Sequence, residues 1–203
     1  MHIADGVVSL PILVAGSALA AGGVGIGLKK TAHRQIPKVA VLTAGFFVAS
    51  LIHLPLGPGQ VHLIMNGLIG IILGWAAFPA LLVALSLQAL LFGYGGFTVL
   101  GVNTINMALP ALCCHYIFRP HLDKQLSRKA TFLVAFGAGA TAVAASGILL
   151  AASLYFSNRE FFGVATAILF AHLPVMAVEG ILTGSAVVFL KRVQPDFFTA
   201  NNE

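Results

Sequence analysis

Seven apolar runs, separated by short polar breaks, organise the chain: about 9–28, 37–54, 63–75, 77–93, 98–118, 131–153 and 164–190. Within each run the apolar residues are continuous rather than alternating, which predicts membrane-spanning helices and not the strands of a barrel. A bilayer takes roughly 20 apolar residues to cross. The third run, LIMNGLIGIILGW, falls short of that, and only a few residues around Ala76–Pro79 separate it from the fourth. Six spans plus a re-entrant segment therefore stands beside seven. The expectation is an all-α polytopic membrane protein of about seven transmembrane helices, forming one domain over 1–203. No internal repeat is evident, so an inverted-repeat transporter has no support.

Composition agrees with the pattern: 59% of residues are apolar and 8% charged, against about a quarter charged in soluble domains. The formal net charge of +5 does not point to nucleic acid, because the cations flank the runs. Lys29, Lys30, Arg34 and Lys38 follow the first run; Arg119, Lys124, Arg128 and Lys129 follow the fifth; Lys191 and Arg192 follow the last. Seven crossings put these on one side and leave Arg159 on the other. The positive-inside rule then predicts a multi-pass protein of the cell's inner (plasma) membrane, with the N-terminus outside and the C-terminus cytoplasmic. No cleavable signal is visible, and Met1 is expected to stay because His2 is not a small second residue. Cys113 and Cys114 are adjacent, which excludes a disulfide framework.

On this topology the polar segments MHIADG, LPLGPGQVH and GYGGFTVLGVN face outward together. Met1-His2 offers an α-amino nitrogen, an amide nitrogen and an imidazole, which can close adjacent chelate rings on one ion. A fourth nitrogen would complete a plane, a geometry suited to Ni(II) or Cu(II), and His62 is the natural candidate. The plainer reading of His62, and of His53, is a polar residue at a loop–helix boundary. Asp5 reads equally as an outer partner of such a site or as the N-cap of the first helix, and Gly6 as a turn residue.

The stretches MHIADG, GPGQVHLIMNGLIGIILG, LQALLFGYGGFTVLGVNTINMALP and HLPVMAVEGILTG resemble the CbiM/NikM family. These are the substrate-capture membrane subunits of energy-coupling-factor transporters for cobalt and nickel. The resemblance implies a seven-helix fold with the N-terminal segment inserted into its outer face. It also implies metal ligands at Met1, His2 and His62, with Co2+ or Ni2+ as transported substrate and no permanent cofactor. Implied partners are a transmembrane coupling subunit, separate ATPase subunits and a small accessory membrane subunit. One departure is that VHLIMNGLIG replaces the Ser/Thr-rich stretch common around the loop histidine, which leaves the choice between cobalt and nickel open.

Other residues carry weaker signals. Asn103 and Asn106 either brace the N-terminus or a ligating imidazole, or act as packing glue between helices. His172 and Glu179, seven apart, share a face of the last helix and mark a candidate intramembrane path. Cys113 and Cys114 read as small packing residues, and His33, His115 and His121 as solvated interfacial groups. The chain has neither GxxxxGK[ST] nor HExxH, so it reads as a transport subunit and not an enzyme. The rival reading is a stand-alone divalent metal channel or secondary carrier.

Overall fold

A computed structural model describes residues 2–56 and 59–198, with the side chains of 53–61 and 196 outside the description. Met1 and the side chain of His53 therefore lie outside the described residues. Among the described residues there are seven α-helices: α1 (Leu10–Lys30), α2 (Ile36–Ala49), α3 (Asn66–Leu73), α4 (Ala77–Phe92), α5 (Leu100–Leu122), α6 (Arg128–Ser157) and α7 (Phe162–Val193). A small antiparallel hairpin, β1 (His53–Leu56) and β2 (Gly59–His62), sits between α2 and α3, with His53 opposite His62. Four helical stretches are long and apolar enough to cross a membrane: Leu10–Lys30, Asn66–Phe92, Arg128–Ser157 and Arg159–Val193.

Helix ends follow local chemistry. Pro11 stands in the first turn of α1 and Pro37 in that of α2, where a missing N–H costs nothing. Lys29 and Lys30 end α1, Arg119 and His121 end α5, and Lys191 and Arg192 end α7, each set complementing the negative end of its helix dipole. All these ends lie together. Lys191 donates to the Leu122 carbonyl, and Arg119 donates to the Ile71 and Phe198 carbonyls at 2.9 and 2.8 Å. The second helix was expected to reach residue 54 but stops at Ala49. The Leu51 and Ile52 amides bond back to the Val48 and Ala49 carbonyls at 3.1 and 3.0 Å, which tightens the last turn and leads the chain into the hairpin.

The stretch Asn66–Phe92 is not one straight rod. α3 runs alongside α5 in the same direction: Asn66 meets Met107, Gly70 lies against Ala111, and Gly74 lies beside His115. The chain then reverses at Gly74 (φ 55°, ψ −122°), a conformation open to glycine and strained for other residues. α4 returns alongside α1, with Phe78 on Gly23 and Pro79 on Gly27. α3 is thus a half-helix that begins deep in the bundle, next to Glu179 in the middle of α7. The short third run of the sequence finds its explanation here.

A helix that starts inside an apolar bundle exposes unpaired amides to a medium without water, and such backbone survives only where protein groups satisfy it. Glu179, 0% exposed, supplies the partner. Its carboxylate accepts from the Met65 amide at 3.0 and 2.9 Å through its two oxygens, and also from the Ile64 amide. At the other end His115 donates to the Gly70 carbonyl at 3.1 Å, beside the Arg119 bond to Ile71. A carboxylate at the positive end of α3 and a cation at the negative end match its dipole. His115, expected to be an interfacial group, is therefore half-buried and tied to α3.

Small residues bring the helices close. The buried face of α1 is Gly16, Ala20, Gly23 and Gly27, turned toward α4 and α5. The outside remains apolar, with Leu90 67%, Leu133 66% and Phe170 68% exposed. A surface of that kind belongs against lipid tails rather than water.

Candidate metal centre

The N-terminal segment folds back into the end of the bundle opposite the cationic helix ends. Asn103, one turn into α5, holds it by a two-way bond: its Oδ1 accepts from the Ile3 amide at 3.0 Å and its Nδ2 donates to the Ile3 carbonyl at 3.0 Å. This pairing imitates a strand partner and fixes the backbone immediately after His2. Asp5 accepts from the Thr98 amide at 3.2 Å and from the Thr98 hydroxyl. Asp5 is not the N-cap of α1, a position held by Ser9. Gly96 (φ 151°) lies so close to the Asp5 carboxyl that a Cβ there has no room, and a Cβ on Gly95 (φ 77°) meets Asn103 Nδ2 at 2.9 Å and His2 Cβ at 3.3 Å. The GYGG loop is glycine-rich because the N-terminal segment lies against it.

His2 then points at His62. The two rings stand 4.8 Å apart between centroids, with His2 Nδ1 and His62 Nε2 at 3.1 Å. Proton positions follow from the neighbours. The Ser50 hydroxyl donates to the Phe47 carbonyl at 2.6 Å, so its oxygen must accept from Gln88 Nε2, at 2.6 Å. That turns Gln88 Oε1 toward His2 Nε2, at 2.7 Å, and makes His2 Nε2 the donor. His62 Nδ1 likewise donates to the Leu63 carbonyl at 2.9 Å. The other two ring nitrogens, His2 Nδ1 and His62 Nε2, face one another at 3.1 Å. The separation suits adjacent ligands on one ion with metal–nitrogen bonds of about 2.0–2.1 Å. Burial above all, with the neighbouring His62 ring also contributing, pushes the His2 pKa down to about 2. Its ring stays in the neutral form that binds metal.

Gln88 and Ser50, which sequence reasoning did not single out, form the hydrogen-bond chain behind His2. Gln88, 0% exposed, is an isolated amide in the apolar helix AFPALLVALSLQALLF, and that isolation was the available signal. Among the described residues no group of three or more His, Cys, Asp or Glu side chains converges on a point.

The remaining candidates separate from this centre. The Asn106 Oδ1 accepts from the Ser153 hydroxyl at 3.4 Å, and its Nδ2 is buried without a partner among the described residues. His172 Nδ1 donates to the Ile168 carbonyl at 2.5 Å, and its ring packs beside Gly147. Glu179 lies elsewhere, on the Ile64 and Met65 amides, so His172 and Glu179 do not form a pair. Glu179 does bear on the centre through the backbone, because the amides it holds lie two and three residues beyond His62. Met65, the only non-glycine residue with positive φ (47°) among those described, makes the turn between them and α3. Cys114 donates to the Ala138 carbonyl at 3.4 Å, a packing role, while Cys113 is exposed.

Fold and site together define an integral membrane protein of long apolar helices whose N-terminal segment is tucked into one end. Residues 2–197 match the family described as CbiM, cobalt uptake substrate-specific transmembrane region, and the chain belongs to that family. A putative metal transport protein of Haemophilus influenzae is 41% identical over 97% of this chain and 96% of its own length. The cobalt transport protein CbiM of Sorangium cellulosum is 30% identical over 97% of this chain and 93% of its own. A crystal structure of a transition metal transporter superposes with a TM-score of 0.82 at 30% identity, covering 95% of this chain and 93% of that one.

Proposed function

We propose that the protein is the substrate-capture subunit of an ATP-driven energy-coupling-factor importer for Co2+ or Ni2+. The ion is taken at the outer face by four nitrogens: the free amino group of Met1, the amide and Nδ1 of His2, and Nε2 of His62. The observation that supports this reading most is His2 Nδ1 facing His62 Nε2 at 3.1 Å, next to the amide of His2 itself. His2 Nδ1 is the ring nitrogen that closes a six-membered chelate with its own amide, and planar nitrogen ligation favours Ni(II) over harder ions. Asn103 and Asp5 act by holding the N-terminal segment still, so that little ordering remains to be done when the ion arrives. A coupling subunit, separate ATPase subunits and a small accessory membrane subunit complete the importer, with the cationic helix ends in the cytoplasm.

Transport tests the assembly. Cells expressing this chain with an ATPase pair and coupling subunit should accumulate radioactive cobalt or nickel, and an ATPase variant unable to hydrolyse ATP should stop it. Uptake into proteoliposomes by this chain alone would overturn the reading in favour of a self-sufficient carrier. A second experiment addresses the proton network. Gln88→Leu removes the acceptor that keeps the proton on His2 Nε2, and metal affinity should fall about 10- to 100-fold, the usual cost of losing a partner of a ligating histidine. An unchanged dissociation constant by calorimetric titration would detach Gln88 from the centre.

A further inference from the structure

The end of the bundle opposite the histidine pair holds a crevice of about 1470 Å³ between the start of α6, the end of α7 and the connection from α5. Five cations line it: Lys124, Arg128, Lys129, Lys191 and Arg192. The single carboxylate in its wall, Asp123, is engaged by Arg119 at 2.6 Å. Lys191 is held by the Leu122 carbonyl and lies 6.0 Å from the Phe198 ring. Lys124, Arg128, Lys129 and Arg192 are exposed and have no ion-pair partner among the described residues. Gln125, Thr131 and Ser185 add polar groups, and most of the remaining wall is apolar, with Phe132, Leu133, Val188 and Phe189 at its centre. Of these, Leu133 and Phe189 are 66% and 61% exposed on the membrane-facing flanks of α6 and α7.

Cations at the rim with an exposed apolar wall running into the spanning region match an amphiphile whose head is anionic and whose tails are hydrocarbon. A soluble anion has no use for the apolar wall, and an acidic protein segment has none for its continuation along lipid-facing helices. We propose that this crevice binds an anionic diacyl phospholipid, with its phosphate among Lys124, Arg128, Lys129 and Arg192 and its tails along Leu133 and Phe189. Basic pockets between spanning helices recognise phosphate head groups in this way, and arginine adds a planar fork suited to phosphate. The site is independent of the metal centre and of the transport reading.

The test uses the full chain, purified in non-ionic detergent and stripped of lipid, with retained lipid read by native mass spectrometry. Phosphatidylglycerol should be retained over phosphatidylcholine by at least about tenfold. The variant Lys124→Gln/Arg128→Gln/Lys129→Gln should bring that preference close to parity. Lys29→Gln/Lys30→Gln/Arg34→Gln, which removes the same charge at the same end but outside the crevice, should keep it. The single change Lys129→Glu gives a second reading that does not depend on the triple variant folding, and should lower the preference severalfold. Equal retention of the two lipids by the native chain, or equal loss in both triple variants, would overturn the proposal. So would glycerol phosphate binding as tightly as the whole lipid, which reassigns the crevice to a small anion. A poly-glutamate peptide binding as tightly as the lipid would reassign it to a protein partner.

Discussion

His62→Ala should weaken cobalt or nickel binding at least about a hundredfold, equivalent to about 2.8 kcal/mol. Loss of an outer partner of a ligating histidine already costs up to about a hundredfold, and this change removes one of the proposed ligands itself. His62 is 5% exposed and caps the descent of β2 into the bundle, so its removal must be separated from a general loosening. The fold around it does not depend on its ring: Glu179 holds the next two amides but one, and Asn103 holds the N-terminal segment independently. The metal-free variant should therefore unfold within a few degrees of the native chain while its titration loses most of its affinity. A dissociation constant equal to that of the native chain would place the ion elsewhere. Spectra should agree, because replacing one nitrogen of a planar set by water shifts the absorption of bound nickel or cobalt.

How much of this was legible in the sequence differs from element to element. The long runs gave the helices, since a continuous apolar stretch near span length has few alternatives. The helix ends at Lys29–Lys30 and Lys191–Arg192 followed from charge, and these cationic ends gather at one end of the bundle. The hairpin was not legible. Its strands are four residues each, the first contains Pro55, and neither shows the alternation that marks a strand in sequence. Glu179 was read as one half of a path with His172 because the spacing placed both on one helix face. Spacing cannot show that the N-terminus of another helix, 114 residues away in sequence, would be waiting for the carboxylate. Gln88 was passed over for a related reason: its isolation in an apolar helix marks it as notable, but its partner, His2, lies 86 residues off and spacing cannot show it. The pairing of His2 with His62 was proposed from ligand chemistry, and the same two residues face one another in the fold.

Adding one residue ahead of Met1 should abolish high-affinity binding, the largest effect expected of any change to this chain. The proposed chelate depends on a primary amine one residue before a histidine. Extension converts that amine into an amide and carries the new terminus at least one residue away from the ring, about 3.3–3.6 Å along an extended chain. Metal–nitrogen bonds of about 2 Å tolerate no such displacement. The scaffold gives no room to compensate, because Asn103 pins Ile3 on both its backbone groups, Thr98 holds Asp5, and the Gly95–Gly96 turn fills the space beneath. His2 and His62 remain as two imidazoles in the extended protein, enough for weak coordination but not for a closed nitrogen plane. Protein released with a single extra glycine before Met1 should accordingly bind at least about a thousandfold more weakly, about 4.2 kcal/mol. Its helical content and its melting temperature without metal should stay at native values. Retention of native affinity by that extended chain would remove the terminal amine from the ligand set and leave the two imidazoles to account for the site.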